Sequence, residues 1–245
     1  KGKLYERRED FIAEEVPISL IYNQIPHVVM LATPTNLEEF ALGFSITEGI
    51  IKSPHELLSA RVYNRSNGIE VQLKIPKHRF DCLSDKGRNL TGRTGCGLCG
   101  ASTLQQAIRQ PNAVNGELSV SAEDLRSALF DIGNHQKLNH ITGAVHAAAW
   151  VVPGQGISDI REDVGRHNAL DKLLGYLAEQ NMDVAEGFVV MTSRASYELI
   201  RKCAQYNIGL LATISAPTSM AIDMAKQLNL TLASFCRGDS FVLYK

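Results

Sequence analysis

The sequence lacks the features that would assign it to a membrane, secreted or nucleic-acid-binding class. No apolar run approaches the ~18 residues that a membrane span requires, and no apolar signal-peptide core follows the charged residues 1–10. The net charge is −1 at pH 7, so no excess of one sign favours nucleic acid or an anionic membrane as a partner. There is also no internal repeat or low-complexity segment. We therefore expect an ordinary globular protein of the cytoplasm, with 44% hydrophobic residues to build its core.

Cysteine is scarce and unevenly spaced. The chain has five cysteines, which is an odd number, at positions Cys82, Cys96, Cys99, Cys203 and Cys236. Small secreted domains held together by disulfides have dense, even-numbered cysteines instead. We therefore expect reduced thiols, and helical spacing with Leu199 predicts that Cys203 belongs to the core.

Hydrophobic patterning divides the 245 residues into three segments. Residues 1–75 are predicted to form a small α+β domain. It contains a hairpin around residues 23–24, a helix opened by a capping box of Thr35 and Glu38, and a strand after a type I′ turn at residues 67–68. Residues 76–120 are basic, then glycine-rich and polar, which is typical of a connector. Residues 121–245 alternate apolar strands with helices, which predicts a layered α/β sheet covered on both faces.

The connector carries a CxxC pair in the stretch GRTGCGLCG, residues 92–100. A thiolate is more reactive when it is exposed and close to positive charge, and Lys86, Arg88 and Arg93 supply that charge. Ordering each glycine costs more backbone entropy than ordering any other residue, so a purely structural role explains this composition poorly. We predict that the pair sits on a mobile loop and meets more than one partner.

Three chemical interpretations of the pair compete. A thioredoxin-like redox motif would follow a strand, whereas basic loop sequence precedes this pair. A zinc site could use the H-x3-C and C-x2-C spacings of His78, Cys82, Cys96 and Cys99. A sulfur carrier would hold a persulfide on Cys96 with Cys99 within reach, and this interpretation explains the glycines best.

The second half carries polar motifs at the ends of predicted strands. HAAAW, residues 146–150, invites comparison with the H-x-E motif of zinc deaminases, but Ala148 replaces the glutamate. Arg166 and His167 open a helix, where backbone N–H groups favour anions. TSRAS and SAPTS, residues 192–196 and 215–219, each follow a buried-type strand, where ligands collect in open α/β sheets. FCRG, residues 235–238, offers an aromatic face, an arginine and a glycine for a nucleotide.

Taken together, GRTGCGLCG, HAAAW, EDVGRHNALDK, SRASYE and FCRG resemble the formate dehydrogenase accessory sulfurtransferase family over nearly the whole chain. The resemblance implies a cytidine-deaminase-like α/β fold, a homodimer, and a sulfurtransferase that serves formate dehydrogenase. Sulfur would come from a cysteine desulfurase and go to the bis-molybdopterin guanine dinucleotide cofactor, bound as substrate.

The same resemblance assigns residues. Cys96 would carry the persulfide with Cys99 as its partner. The family's cofactor-binding segment falls on Ala233, Ser234, Phe235, Cys236, Arg237 and Gly238. From their places after strands and at the start of a helix, we expect His167, Ser193 and Arg194 to contact the same cofactor. The alternative function is a zinc-binding or thiol-redox-switched nucleotide-binding module. That module would bind metal stoichiometrically or form a reversible disulfide between the two cysteines.

Overall fold

The computed structural model describes residues 9–85, 111–116, 118–237 and 240–245. Its strands are β1 Val16–Tyr22, β2 Ile25–Ala32, β3 Ser59–Arg65, β4 Gly68–Lys74, β5 His146–Val152, β6 Gly156–Asp163, β7 Phe188–Met191, β8 Leu210–Thr213, β9 Thr231–Arg237 and β10 Ser240–Tyr244. Its α-helices are α1 Leu37–Thr47, α2 Lys77–Asp85, α3 Ala122–His135, α4 Lys137–Thr142, α5 Arg166–Glu179, α6 Tyr197–Gln205 and α7 Ser219–Gln227. Single 3₁₀ turns cover Pro54–Glu56 and Val184–Glu186.

The first sheet has four strands in the order β2-β1-β4-β3. β1 pairs with β2 through the tight turn at Asn23 and Gln24, whose φ values of 46° and 72° are the positive pair that a type I′ turn requires. β1 then runs parallel to β4, so that Leu20 faces Val71. Helix α1 covers this sheet with Phe40, Phe44 and their apolar neighbours, which form one buried cluster with the strands.

The second sheet has six strands in the order β10-β9-β8-β7-β5-β6. β7, β8 and β9 are parallel, whereas β5 is antiparallel to both β7 and β6. Alternate residues of β5 point to opposite faces, so that Trp150 packs with α5, α6 and α7 while Ala149 packs with α3. The predicted α/β sheet with helices on both faces is therefore confirmed as a mixed α/β fold.

Helix α1 joins the two sheets by packing directly on α5 at two glycines. A Cβ built on Gly43 would lie 1.8 Å from the carbonyl oxygen of Asp171, and one on Gly175 would lie 1.8 Å from that of Glu39. Both distances are far below any real contact, so the two helix backbones touch where neither residue has a side chain. The Arg161 guanidinium of β6 stabilises this contact between the helices by donating two hydrogen bonds to the Glu39 carboxylate of α1.

Two local predictions differ from the structure, and some elements were not predicted. Thr35 does not cap α1, because the helix begins after Asn36, and the Thr35 hydroxyl accepts a hydrogen bond from Lys172 Nζ at 3.3 Å. The β3–β4 turn consists of Ser66 and Asn67, neither of which has a positive φ, so it is not type I′. Strand β3 and helices α2 and α4 were not predicted.

The hairpin around residues 23–24, the first helix, the strand after residues 67–68 and the alternation of strands and helices in residues 121–245 are confirmed. Each sheet comes from one of the predicted domains, residues 16–74 and 146–244, while the division into domains stays a prediction. Among the described residues, no helix combines the length and apolar character needed to cross a membrane.

Candidate functional site

Five strands of the second sheet bring their polar ends to one edge. The parallel strands β7, β8 and β9 end there. Because β5 and β6 alternate in direction, β5 begins and β6 ends at the same edge, where His146 pairs with Asp163. Thr192 follows β7 and receives a 2.9 Å hydrogen bond from the backbone N–H of Ala147, which fixes the loop beside the start of β5. The sequence motifs of the second half therefore meet at one edge, as open α/β sheets arrange their ligand sites.

This edge carries a cluster of basic side chains, His146, Arg166, His167 and Arg194, which we call the cation cluster. Burial and the positive charges of Arg166, His167 and Arg194 lower the pKa of His146, whereas Asp163 opposes the shift. The four groups come from β5, α5 and the β7–α6 loop, whose ends meet at this edge, and they influence His146 electrostatically. A concentration of positive charge at a strand edge suits a phosphate-containing ligand.

His167 at the start of α5 is buried and faces the carboxylate of Glu198 on α6. Its Nε2 lies 3.7 Å from Glu198 Oε2. Burial, together with the charges of Arg166 and Lys202, lowers the pKa of His167, and Glu198 opposes this. Burial would raise the pKa of Glu198, but His167 and hydrogen bonds from Ser196 and its own backbone lower it to about 2.

A fully buried ion pair holds the helix that carries Arg166 and His167. Lys172 Nζ lies 2.7 Å from Asp163 Oδ2, and both side chains are completely buried. Asp163 also accepts hydrogen bonds from the backbone N–H groups of Gly165 at 2.7 Å and Thr33 at 3.0 Å, and from Asn168 Nδ2 at 3.0 Å. With four donors on one carboxylate, the start of α5 is fixed relative to both β6 and the first sheet.

A second buried network fixes α5 to α6 and α1. Lys202 Nζ of α6 donates to Asp171 Oδ1 and Oδ2 at 3.0 and 2.9 Å, to Thr47 Oγ1 at 2.9 Å and to Glu48 Oε1 at 3.1 Å. Arg201 also pairs with Glu48. Burial raises the pKa of Asp171 more than Lys202 lowers it, whereas Lys202 and Arg201 overcome burial at Glu48 and lower its pKa to about 2. Helices α1, α5 and α6 are therefore held together next to the cation cluster by ion pairs that share partners.

The other end of the site is the end of β9. Ser234 is buried, and its Oγ lies 2.7 Å from Thr213 Oγ1. Phe235 has a φ of 56°, which is rare for a residue with a large side chain, and the residue is 45% exposed. Its backbone N–H donates to the carbonyl of Ser215, in the loop after β8, at 3.3 Å. Residues held in such sparsely populated backbone conformations cluster at active sites and ligand sites.

The predicted site residues are distributed unevenly over this edge. His167 and Arg194 lie in the cation cluster, and Phe235 is exposed at the end of β9. Ala233, Ser234 and Ser193 are buried, and the Ser193 hydroxyl donates to the carbonyl of Arg194 at 3.1 Å. Cys236 and Arg237 are the last residues of β9. Cys96, Cys99 and Gly238 lie outside the described residues, so the prediction for them stays a prediction.

Sequence reasoning did not assign His146, Asp163 or Lys172 to the site. Only strand register brings His146 opposite Asp163, and nothing in the sequence marks Lys172 as buried. Cys203 is buried, and burial raises the pKa of its thiol, which confirms its assignment to the core.

Two of the four proposed zinc ligands lie within the described residues, and both are on α2. His78 and Cys82 are exposed and four residues apart, and His78 Nε2 lies 3.7 Å from Glu56 Oε1. Within the described ranges, no group of three or more potential ligands is close enough to hold a metal ion. The other two proposed ligands, Cys96 and Cys99, lie outside those ranges.

Comparisons with known proteins agree with the motifs. Residues 13–245 match the profile of the FdhD/NarQ family. The sulfur carrier protein FdhD of Acinetobacter baylyi is 48% identical over 244 residues, covering 99% of this chain and 89% of the relative. The FdhD of Cupriavidus necator is 48% identical over 235 residues, covering 96% and 82%. A crystal structure of a putative formate dehydrogenase accessory protein from Desulfotalea psychrophila superposes with a TM-score of 0.72 at 21% identity, covering 96% of this chain and 88% of the other.

Proposed function

Because the chain belongs to the FdhD/NarQ family, we propose that it is a sulfur carrier required for formate dehydrogenase. Its relatives at 48% identity bear the name sulfur carrier protein, and 89% and 82% of their length aligns with this chain. Sulfane sulfur comes from a cysteine desulfurase and passes to the bis-molybdopterin guanine dinucleotide cofactor, which the protein binds as substrate. The proposal includes a homodimer and a cytidine-deaminase-like architecture.

Cys96 carries the sulfur in this proposal. Its thiolate attacks the terminal sulfur of the desulfurase persulfide, so that a new S–S bond forms and the desulfurase thiolate leaves. The Cys96 persulfide then transfers that terminal sulfur to the molybdenum of the substrate cofactor: the S–S bond breaks, Cys96 is left as the thiolate, and reduced molybdenum would supply the two electrons that convert sulfane sulfur to sulfide. Cys99 is the partner thiol. The transfer from Cys96 depends more on positioning than on acid–base assistance, because a persulfide is more acidic and more nucleophilic than a thiol.

The proposal that the protein binds a guanine nucleotide rests on one observation. The cation cluster and Phe235 lie at the same edge of the second sheet. The cation cluster would hold phosphate oxygens, and Phe235 would stack on the guanine base. β9 is three strands from β5, which is about 14 Å at about 4.8 Å per strand, a span that an extended nucleoside diphosphate can bridge. An aromatic ring at one end and cations at the other match the two chemical parts of a nucleotide.

Sulfur labelling tests this assignment. The protein is incubated with a cysteine desulfurase and isotopically labelled cysteine, and its peptides are then analysed by mass spectrometry without reductant. We expect one added sulfur on the peptide containing Cys96 in the wild type and in Cys82→Ala, which removes a different exposed thiol. Cys96→Ala should lose the label.

Full labelling of Cys96→Ala would refute Cys96 as the carrier. The alternative function makes different predictions, which the same samples can test. A zinc-binding module would contain stoichiometric zinc by elemental analysis, and a redox-switched module would form a reversible disulfide between Cys96 and Cys99 without acquiring sulfur.

A further inference from the structure

His146 is the one histidine of the cation cluster that lies in a strand of the second sheet. It opens β5, it is half-buried, and it sits opposite Asp163 in the β5–β6 ladder. The next residue, Ala147, exchanges hydrogen bonds with Thr192: its N–H donates to the threonine hydroxyl at 2.9 Å, and its carbonyl accepts from the threonine N–H at 3.1 Å. The backbone that carries His146 is therefore fixed on both sides.

The described charged groups that act on His146 are mainly positive. Arg166, which opens α5, and Arg194, in the loop after β7, oppose its protonation by their charges, and so does His167 when it is protonated. Asp163 is the acidic group among them, and its carboxylate is already engaged by Lys172 at 2.7 Å. His167 itself interacts with Glu198 and Lys202 of α6. An anion entering this cluster would meet more positive than negative charge.

We infer that His146 binds a phosphate group of the guanine nucleotide and takes up a proton from solvent when it does so. The inference rests on the proposed function and adds to it a phosphate ligand and a dependence on pH. In the free protein, burial and then the neighbouring cations oppose protonation of His146, so the imidazole is mostly neutral at neutral pH. A phosphate dianion reverses the local field, because it compensates the arginines and accepts a hydrogen bond from the imidazolium.

Proton uptake sets the direction of the pH dependence. Because the complex holds more protons than its free components, lowering the pH favours binding by linkage. Uptake of one proton corresponds to an affinity that tightens by up to about tenfold per pH unit. The effect appears above the pKa of His146 in the free protein and ends above its pKa in the complex.

Calorimetric titration of the full chain with GDP measures this uptake directly. At pH 7.5, the binding enthalpy is compared in buffers with different ionisation enthalpies, and the slope gives the number of protons exchanged. We expect the wild type to take up a substantial fraction of one proton and its Kd for GDP to decrease from pH 8 to pH 6.5. Guanosine, which lacks phosphate, should bind without proton uptake.

Two variants assign the proton. His146→Gln should lose most of the uptake and the pH dependence, whereas His135→Gln, which changes an exposed histidine at the end of α3, should retain both. Any proton released by GDP itself contributes equally to all three proteins.

An enthalpy for wild-type GDP binding that is independent of the buffer would overturn the inference, even if His146→Gln fails to fold. Uptake that persists in a folded His146→Gln would overturn it as well. Neither result affects sulfur labelling of Cys96, so the failure of this inference is distinguishable from the failure of the proposed function. A protein that does not bind GDP at any pH would overturn both the inference and the nucleotide part of the proposal.

Discussion

Replacing Lys202 with methionine tests the buried charges beneath the cation cluster. The substitution keeps a long apolar side chain but removes the cation that donates to both oxygens of Asp171 and to Glu48. Removing one partner of a buried ion pair costs about 3–5 kcal/mol, because the remaining charge stays in a poorly solvated environment. For a protein of this size, that corresponds to a loss of roughly 6–20 °C in melting temperature.

The loss of stability should depend on pH in a direction that the structure specifies. Burial already raises the pKa of Asp171, and removing Lys202 would raise it further. The folded variant then binds a proton that the unfolded chain releases, so its free energy of unfolding decreases as the pH rises towards the folded pKa of Asp171. The deficit relative to the wild type is therefore largest at high pH and shrinks as the pH falls.

Chemical denaturation of Lys202→Met and the wild type between pH 5 and pH 8 measures both effects. Lys226→Met, at an exposed lysine of α7, serves as the control and should stay within about 0.5 kcal/mol of the wild type. A deficit in Lys202→Met below about 1 kcal/mol, or one that is constant with pH, would refute this account of the network.

Two further predictions concern single positions. Gly43→Ala should lower the free energy of unfolding by about 3 kcal/mol or more, because its Cβ would overlap the Asp171 carbonyl. The control, Gly133→Ala in the open part of α3, should raise the free energy of unfolding by about 0.5–1 kcal/mol. Equal effects of the two substitutions in chemical denaturation would argue against a tight contact between α1 and α5. Phe235→Gly should leave stability unchanged or improved because it relieves the positive φ, yet weaken GDP binding about 5- to 150-fold, the worth of about 1–3 kcal/mol of base stacking. Phe130→Ala, at an exposed ring of α3, is the matched control, and unchanged affinity in Phe235→Gly would exclude stacking.

Continuous apolar runs predicted the second sheet well, because buried strands such as β7 leave little choice of structure. Local capping signals were less informative, since a partner distant in sequence can claim the same atom. Thr35 is one case, because its hydroxyl contacts Lys172, which is 137 residues away. The short helix α4 also depends on a residue distant in sequence. The Glu162 carboxylate caps its first turn by accepting hydrogen bonds from the backbone N–H groups of Leu138 and Asn139.

Motifs located part of the candidate site, but strand register assembled it. Arg194 and Phe235 could be proposed from their places after apolar strands. The role of His146 depends on the antiparallel course of β5, which brings the beginning of that strand to the edge where β7 ends. The deaminase comparison had drawn attention to this histidine only as a metal ligand without its glutamate.

The contact between Gly43 and Gly175 restricts how the chain lengths of relatives can vary. Inserting one residue into α1 before Gly43 would rotate the following turns by about 100° and direct a side chain at α5, where no space exists for a single methyl group. Family members should therefore gain or lose residues in the turns between strands. Within α1 and α5, the number of residues between each glycine and the neighbouring strand should stay constant.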